Sequence, residues 1–108
     1  MKRGDVVTVA VQGDFGKPRP ALVIQADQFG GHPSVTVLLI TSSLVDAPML
    51  RVTVQPGGTS GVERPSQVMI DKAMTVRSDK LGLVVGSLPD DVMIEVERRL
   101  AIFLGIAK

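Results

Sequence analysis

The chain has 108 residues, which fits one domain spanning 1–108, and its 44% hydrophobic content supports a core without metal or disulfide help. The absence of cysteine excludes a disulfide scaffold, a thiolate zinc site and a cysteine nucleophile. A formal net charge of +1 excludes a broad polyanion-binding face, so any nucleic-acid contact must come from a local patch.

With 3 Phe and neither Trp nor Tyr, the core must be built from Val, Ile, Leu and Met. Val and Ile are stiff at χ1 and fit pleated surfaces, which favours strands. The charged start Met1-Lys2-Arg3-Gly4-Asp5 predicts no signal peptide. No apolar run approaches the ~20 residues needed to span a bilayer, and the lack of cysteine suits a cytoplasmic setting.

In chain order, residues 5–12 read as a first strand rich in β-branched side chains. Residues 13–18 carry Gly13, Gly16 and Pro18 and read as a loop. Residues 19–25 form a second strand, with Pro20 expected at its start or on an edge because it has no N–H to donate. Another connection, 27–34, leads to a third strand, 35–41, whose nearly continuous apolar run predicts a central position. An irregular stretch, 42–49, precedes an alternating strand, 50–55. After the loop 56–61, a short strand 67–71 is expected, followed by a bend and a continuation over 73–77. Residues 81–88 are a weaker last strand, interrupted by Gly82 and Gly86.

The tail predicts a helix. Pro89 is tolerated in a first turn, and Asp90 and Asp91 favour the positive end of the helix dipole. Val92, Met93, Val96, Leu100, Phe103 and Leu104 recur at helical spacing as one apolar stripe, and Gly105 is a natural terminator. Short strands separated by turn signals predict a mainly β fold, a small barrel or strongly bent sheet with a C-terminal helix.

His32 is the single histidine, so no histidine pair exists within one chain for acid–base work. The glycine-rich run 57–61 lacks the lysine and helix of a phosphate-binding loop. Three other places carry candidate chemistry. In Lys17-Pro18-Arg19-Pro20, two prolines fix the backbone on either side of Arg19, whose guanidinium is suited to a bidentate grip on phosphate. The plainer alternative is an edge arginine paired with a carboxylate, and spacing alone favours it. Thr41-Ser42-Ser43 ends the most apolar strand with hydroxyls that can donate to a phosphate oxygen or cap a turn. Asp71-Lys72 ends another apolar run, as a proton-handling acid or a surface ion pair.

These segments come in a telling order: Arg3-Gly4-Asp5-Val6-Val7, then Arg19-Pro20-Ala21-Leu22-Val23-Ile24-Gln25, then Leu39-Ile40-Thr41-Ser42, then the stretch from Val68 through Asp71-Lys72 to Val76. The order resembles the MazF/PemK family, the RNA-cutting toxins of type II toxin–antitoxin systems. The closing Leu104-Gly105-Ile106 is similar to the family's end. The resemblance implies an SH3-like barrel, a homodimer, a cognate antitoxin partner and metal-independent cleavage of single-stranded RNA. In that chemistry the ribose 2′-OH attacks the adjacent phosphorus, leaving a 2′,3′-cyclic phosphate and a 5′-OH, with no cofactor. It implies Arg19, Thr41 and Asp71 as catalytic residues, and Asp14, Lys17, Ser42 and Lys72 as RNA contacts. Met69 and Lys72 stand where some relatives carry Arg and Gln.

The alternative is a non-cleaving, CcdB-like toxin that binds and poisons DNA gyrase. That family shares the expected fold but ends in Trp-Gly-Ile, and this chain has no tryptophan. A plain SH3-like interaction module would show aromatic grooves, which the composition does not supply.

Overall fold

The computed structural model describes residues 1–10 and 17–107. The end of the first expected strand and most of the loop after it, with Asp14, lie outside the described residues. Six strands and one helix follow one another: β1 (Asp5–Ala10), β2 (Pro18–Val23), β3 (Ser34–Thr41), β4 (Arg51–Val54), β5 (Ser66–Arg77), β6 (Leu81–Ser87) and α1 (Asp90–Phe103). The strands form one sheet in the order β4-β5-β3-β2-β1-β6, and every pairing is antiparallel. The fold is mainly β with a C-terminal helix, as the sequence predicts, and β3 is central, lying between β5 and β2.

The middle of the sheet is buried on both faces, and alternate residues of β1 point into different cores. Val6 packs with Leu22, Leu38, Ile40, Val68 and Ile70 under Met93 and Val96 of α1. Val7 and Val9 pack with Ala21, Val23, Val35 and Val37 on the other side. Each fully buried aliphatic side chain contributes about 1.5–3 kcal/mol relative to exposure.

β5 serves both cores. Its first part pairs with β4 (Arg51↔Met69, Val54↔Ser66) and its later part with β3 (Val35↔Val76, Leu38↔Ala73). The bend expected near residue 72 is instead one continuous 12-residue strand with a shift of register opposite Leu38 and Ile40. Asp71 and Lys72 fall in that irregularity, where the strand trades neighbours.

β4 and β6 are the sheet's two edges, and the connection between β4 and β5 closes the gap between them. The Ser87 N–H donates to the Thr59 carbonyl at 2.7 Å, and the Thr59 hydroxyl donates to the Ser87 carbonyl at 3.1 Å. Gly86 is required there, since a Cβ would collide with the Thr59 and Ser60 backbone.

α1 begins after Pro89, which has no capping side chain, with Asp90 and Asp91 in its first turn. Gly105 ends it with φ +76°. The expected apolar stripe is shorter than its spacing suggests. Met93 and Val96 are buried and Val92 and Leu100 pack beside them, but Phe103 and Leu104 are 48% and 56% exposed. The helix runs on past the β4–β5 part of the sheet that it covers.

Candidate functional site

The prolines of β2 decide where the sheet opens. β2 pairs with β3 at Ala21↔Leu39, Leu22↔Leu38 and Val23↔Val37, and the ladder stops there. Pro20 has no N–H to offer, so the strand's first half is held by β1 alone, at Thr8↔Pro20, Val9↔Arg19 and Ala10↔Pro18. The end of β3 turns to β5 instead, at Ile40↔Val68 and Thr41↔Gln67. Carried two residues on, the β2–β3 register sets Arg19 opposite Thr41 and on the same face. A groove of about 510 Å³ lies where the two strands part.

Three elements supply most of the lining of this groove. The start of β2 supplies Lys17 and Arg19, the end of β3 supplies Thr41, Ser42 and Ser43, and the β4–β5 connection supplies Gly61, Val62, Glu63, Arg64 and Ser66. Thr8 of β1 and Val85 of β6 add to the wall, with Pro18, Pro20 and Ile40. Lys17, Arg19, Ser42, Ser43, Glu63 and Arg64 are exposed, and Thr41 is half-buried.

The hydroxyls are oriented. The Thr41 Oγ1 accepts the Ser43 N–H at 3.0 Å, which leaves its own proton free to donate. The loop beyond is tied down by Gln67, whose amide accepts the Val45 N–H at 3.1 Å and donates to the Val45 carbonyl at 3.0 Å. The opposite wall is also fixed. The buried Ser66 hydroxyl donates to the Arg64 carbonyl at 2.8 Å. The Ser60 hydroxyl donates to the Gln55 carbonyl at 3.0 Å. Gly61, at φ +76°, lies so close to the Val85 carbonyl that a Cβ would overlap it.

Arg19, Thr41, Lys17 and Ser42, all expected at the site, therefore line one groove. Asp71 and Lys72, expected beside them, are not among its lining residues. Asp71 is held at the β4–β5 pairing, where its Oδ1 accepts from the Arg51 Nη1 at 2.7 Å, and the Lys72 Nζ is 4.0 Å from its Oδ2. Burial raises the Asp71 pKa, but the hydrogen bond and charge of Arg51 outweigh it and, with Lys72, hold the carboxyl below its ordinary value. Such a carboxylate is a poor proton acceptor.

Glu63, Arg64 and Gln67 were not singled out by sequence reasoning. Glu63 and Arg64 stand between a glycine loop and Pro65 with no periodicity to mark them, and the close approach of Gly61 to Val85 helps hold their segment at the groove.

Cations and a positioned hydroxyl facing one another across a groove can grip a phosphodiester and neutralise charge that builds on it. Fold and groove together define a class, a small β domain with a groove lined by cations and hydroxyls. The chain belongs to the family of PemK-like, MazF-like toxins of type II toxin–antitoxin systems, whose sequence model matches residues 2–104. Over 108 residues, 99% of either chain, it is 45% identical to a Mycolicibacterium smegmatis protein described as a probable endoribonuclease MazF. It is 30% identical over 112 residues to the endoribonuclease EndoA of Bacillus subtilis, with 98% of this chain and 96% of that one covered. A solved chain of MazE–MazF from Deinococcus radiodurans superposes with a TM-score of 0.77 at 26% identity, over 99% of this chain and 97% of that one. The Mycobacterium tuberculosis toxin MazF-mt6 shares the fold, with a TM-score of 0.83 at 21% identity, over 96% of this chain and 99% of that one. These matches do not favour the gyrase-poisoning alternative.

Proposed function

We propose that residues 1–108 act as one toxin domain, a cytoplasmic, homodimeric endoribonuclease that cuts single-stranded RNA at specific sequences without metal and is silenced by a cognate antitoxin. The observation that carries this reading is that Arg19 and Thr41 line one groove, together with Lys17 and Arg64. Membership of the toxin family and the names of its relatives support it.

The ribose 2′-oxygen attacks the adjacent phosphorus, and a pentacoordinate phosphorane forms with extra negative charge on its non-bridging oxygens. Arg19 neutralises that charge and donates to the departing 5′-oxygen. Thr41 donates its free hydroxyl proton to a non-bridging oxygen. Lys17 and Ser42 hold neighbouring backbone. Asp71 is not given the proton transfer, because Arg51 occupies its carboxylate away from the groove. DNA is not cut, because it lacks the 2′-OH nucleophile.

The test is incubation of the purified protein with a long single-stranded RNA in EDTA. Cleavage is expected; intact RNA, or cleavage only after metal is added, contradicts the reading. Arg19→Ala and Thr41→Ala are each expected to lower turnover by about 10²–10³-fold, the range for removing one charge-stabilising donor.

A further inference from the structure

We infer that Glu63 is the catalytic residue that takes the proton from the attacking 2′-hydroxyl. The inference deepens the proposed function and rests on it.

A general base must lie within hydrogen-bond reach of the proton and be able to hold it. Among the described residues lining the groove, the charged groups are Lys17, Arg19, Arg64 and Glu63. The three cations have no lone pair to offer while protonated, and an arginine is protonated at rest at any working pH, so it can lend a proton to a departing alkoxide but cannot take the first one. The lining hydroxyls are neutral, and those of Thr8, Thr41 and Ser66 are already hydrogen-bonded to backbone. His32 lies outside the groove, where its ring accepts the Ser34 N–H at 3.4 Å. Glu63 is the one described lining residue with a carboxylate.

Its placement is built. Val62, just before it, is buried in the helix-side core. Arg64, just after it, has its carbonyl held by the buried Ser66 hydroxyl at 2.8 Å. Gly61 is wedged against the backbone of β6. The backbone of Glu63 is thereby fixed on both sides, while the residue is exposed and lines the groove, which is what positioning a base on a loop demands.

The step balances within the groove. The 2′-oxygen forms a bond to phosphorus as its proton passes to a Glu63 oxygen. The bond from phosphorus to the 5′-oxygen breaks, its electron pair stays on that oxygen, and a proton from Arg19 caps it. Glu63 then releases its proton to water and Arg19 regains one. The products are a 2′,3′-cyclic phosphate and a 5′-OH, and no water is consumed.

The experiment first maps a cut site for the wild type on a long RNA in EDTA. Single-turnover rates on a short oligonucleotide spanning that site are then measured across pH for wild type, Glu63→Gln, Glu63→Asp, Asp71→Asn, Asp14→Asn and Arg19→Ala. Affinity is read separately with the same oligonucleotide carrying a 2′-deoxy sugar at the attacking position. Glu63→Gln is expected to lose about 10²–10⁴-fold in rate, the usual worth of a general base. It should keep its affinity within about threefold and lose the acid-side fall of the pH–rate profile. Glu63→Asp should recover part of the rate and restore that fall. If Glu63→Gln cuts within a few-fold of wild type while Arg19→Ala is inert, the proposed function stands and the role of Glu63 is overturned. The same holds if Asp71→Asn or Asp14→Asn, and not Glu63→Gln, removes the acid-side fall. A wild type that leaves RNA intact in EDTA overturns the underlying reading.

Discussion

Arg19 shows how a residue's meaning depends on its neighbours in space. Two prolines set its backbone, and the halted ladder beside Pro20 puts it across from Thr41. Its planar fork suits two phosphate oxygens, so Arg19→Lys keeps the charge but is expected to lose at least tenfold in single-turnover rate. Full activity in that variant would mean that charge alone matters. Thr41→Ser keeps the hydroxyl and should stay within a few-fold of wild type. Asp71 is predicted to matter for stability more than for chemistry. Asp71→Asn leaves Arg51, whose Nε is already unpartnered, with a weaker acceptor. The expected cost at pH 7 is about 1–3 kcal/mol. Because the folded pKa is lowered, this contribution is full above the unfolded value of about 3.9 and fades as pH falls through the folded value. The difference between wild type and Asp71→Asn in urea unfolding should therefore shrink from pH 7 to pH 3. An equal difference at both pH values would contradict it.

At the scale of elements, the sequence showed more of the strands than of their partners. The β-branched run at 35–41 announced a central strand, and the helix was readable from its spacing and from Gly105. The long β5 was not, because polar Asp71 and Lys72 in its middle look like a strand end until the change of neighbours from β4 to β3 is seen. Arg19 and Thr41 were legible as residue types at strand ends and, taken together, through their resemblance to a family. Glu63 was hidden, since a β4–β5 connection reads as flexible from its glycines alone. Those glycines instead mark tight packing against β6. Gly86→Ala would force a Cβ into the Thr59–Ser60 backbone. It is expected to destabilise by about 1–3 kcal/mol in urea unfolding, the scale of local backbone strain, and to lower RNA cleavage by loosening the Glu63 wall. Gly57→Ala, where a Cβ meets nothing but φ is +85°, should cost less and leave cleavage near wild type. A reversed ranking would show that the loop does not lean on β6.

For the whole molecule, a net charge of +1 and a groove with three cations predict electrostatics that are local. Single-stranded RNA releases about 0.7 counterion per phosphate neutralised, so three contacts predict a slope near −2 for log affinity against log salt. A much steeper slope would require a wider basic face than one protomer shows. The central claim is that Arg19 and Thr41 drive an attack by the ribose 2′-oxygen, and the ends of the cut RNA report on that most directly. RNA cleaved in EDTA is offered to polynucleotide kinase with labelled ATP, with and without prior phosphatase. The account predicts 5′ ends that label without phosphatase and 3′ ends that carry a cyclic phosphate. Ends that label only after phosphatase, with a free 3′-OH, would mean that water attacked instead, and would contradict it.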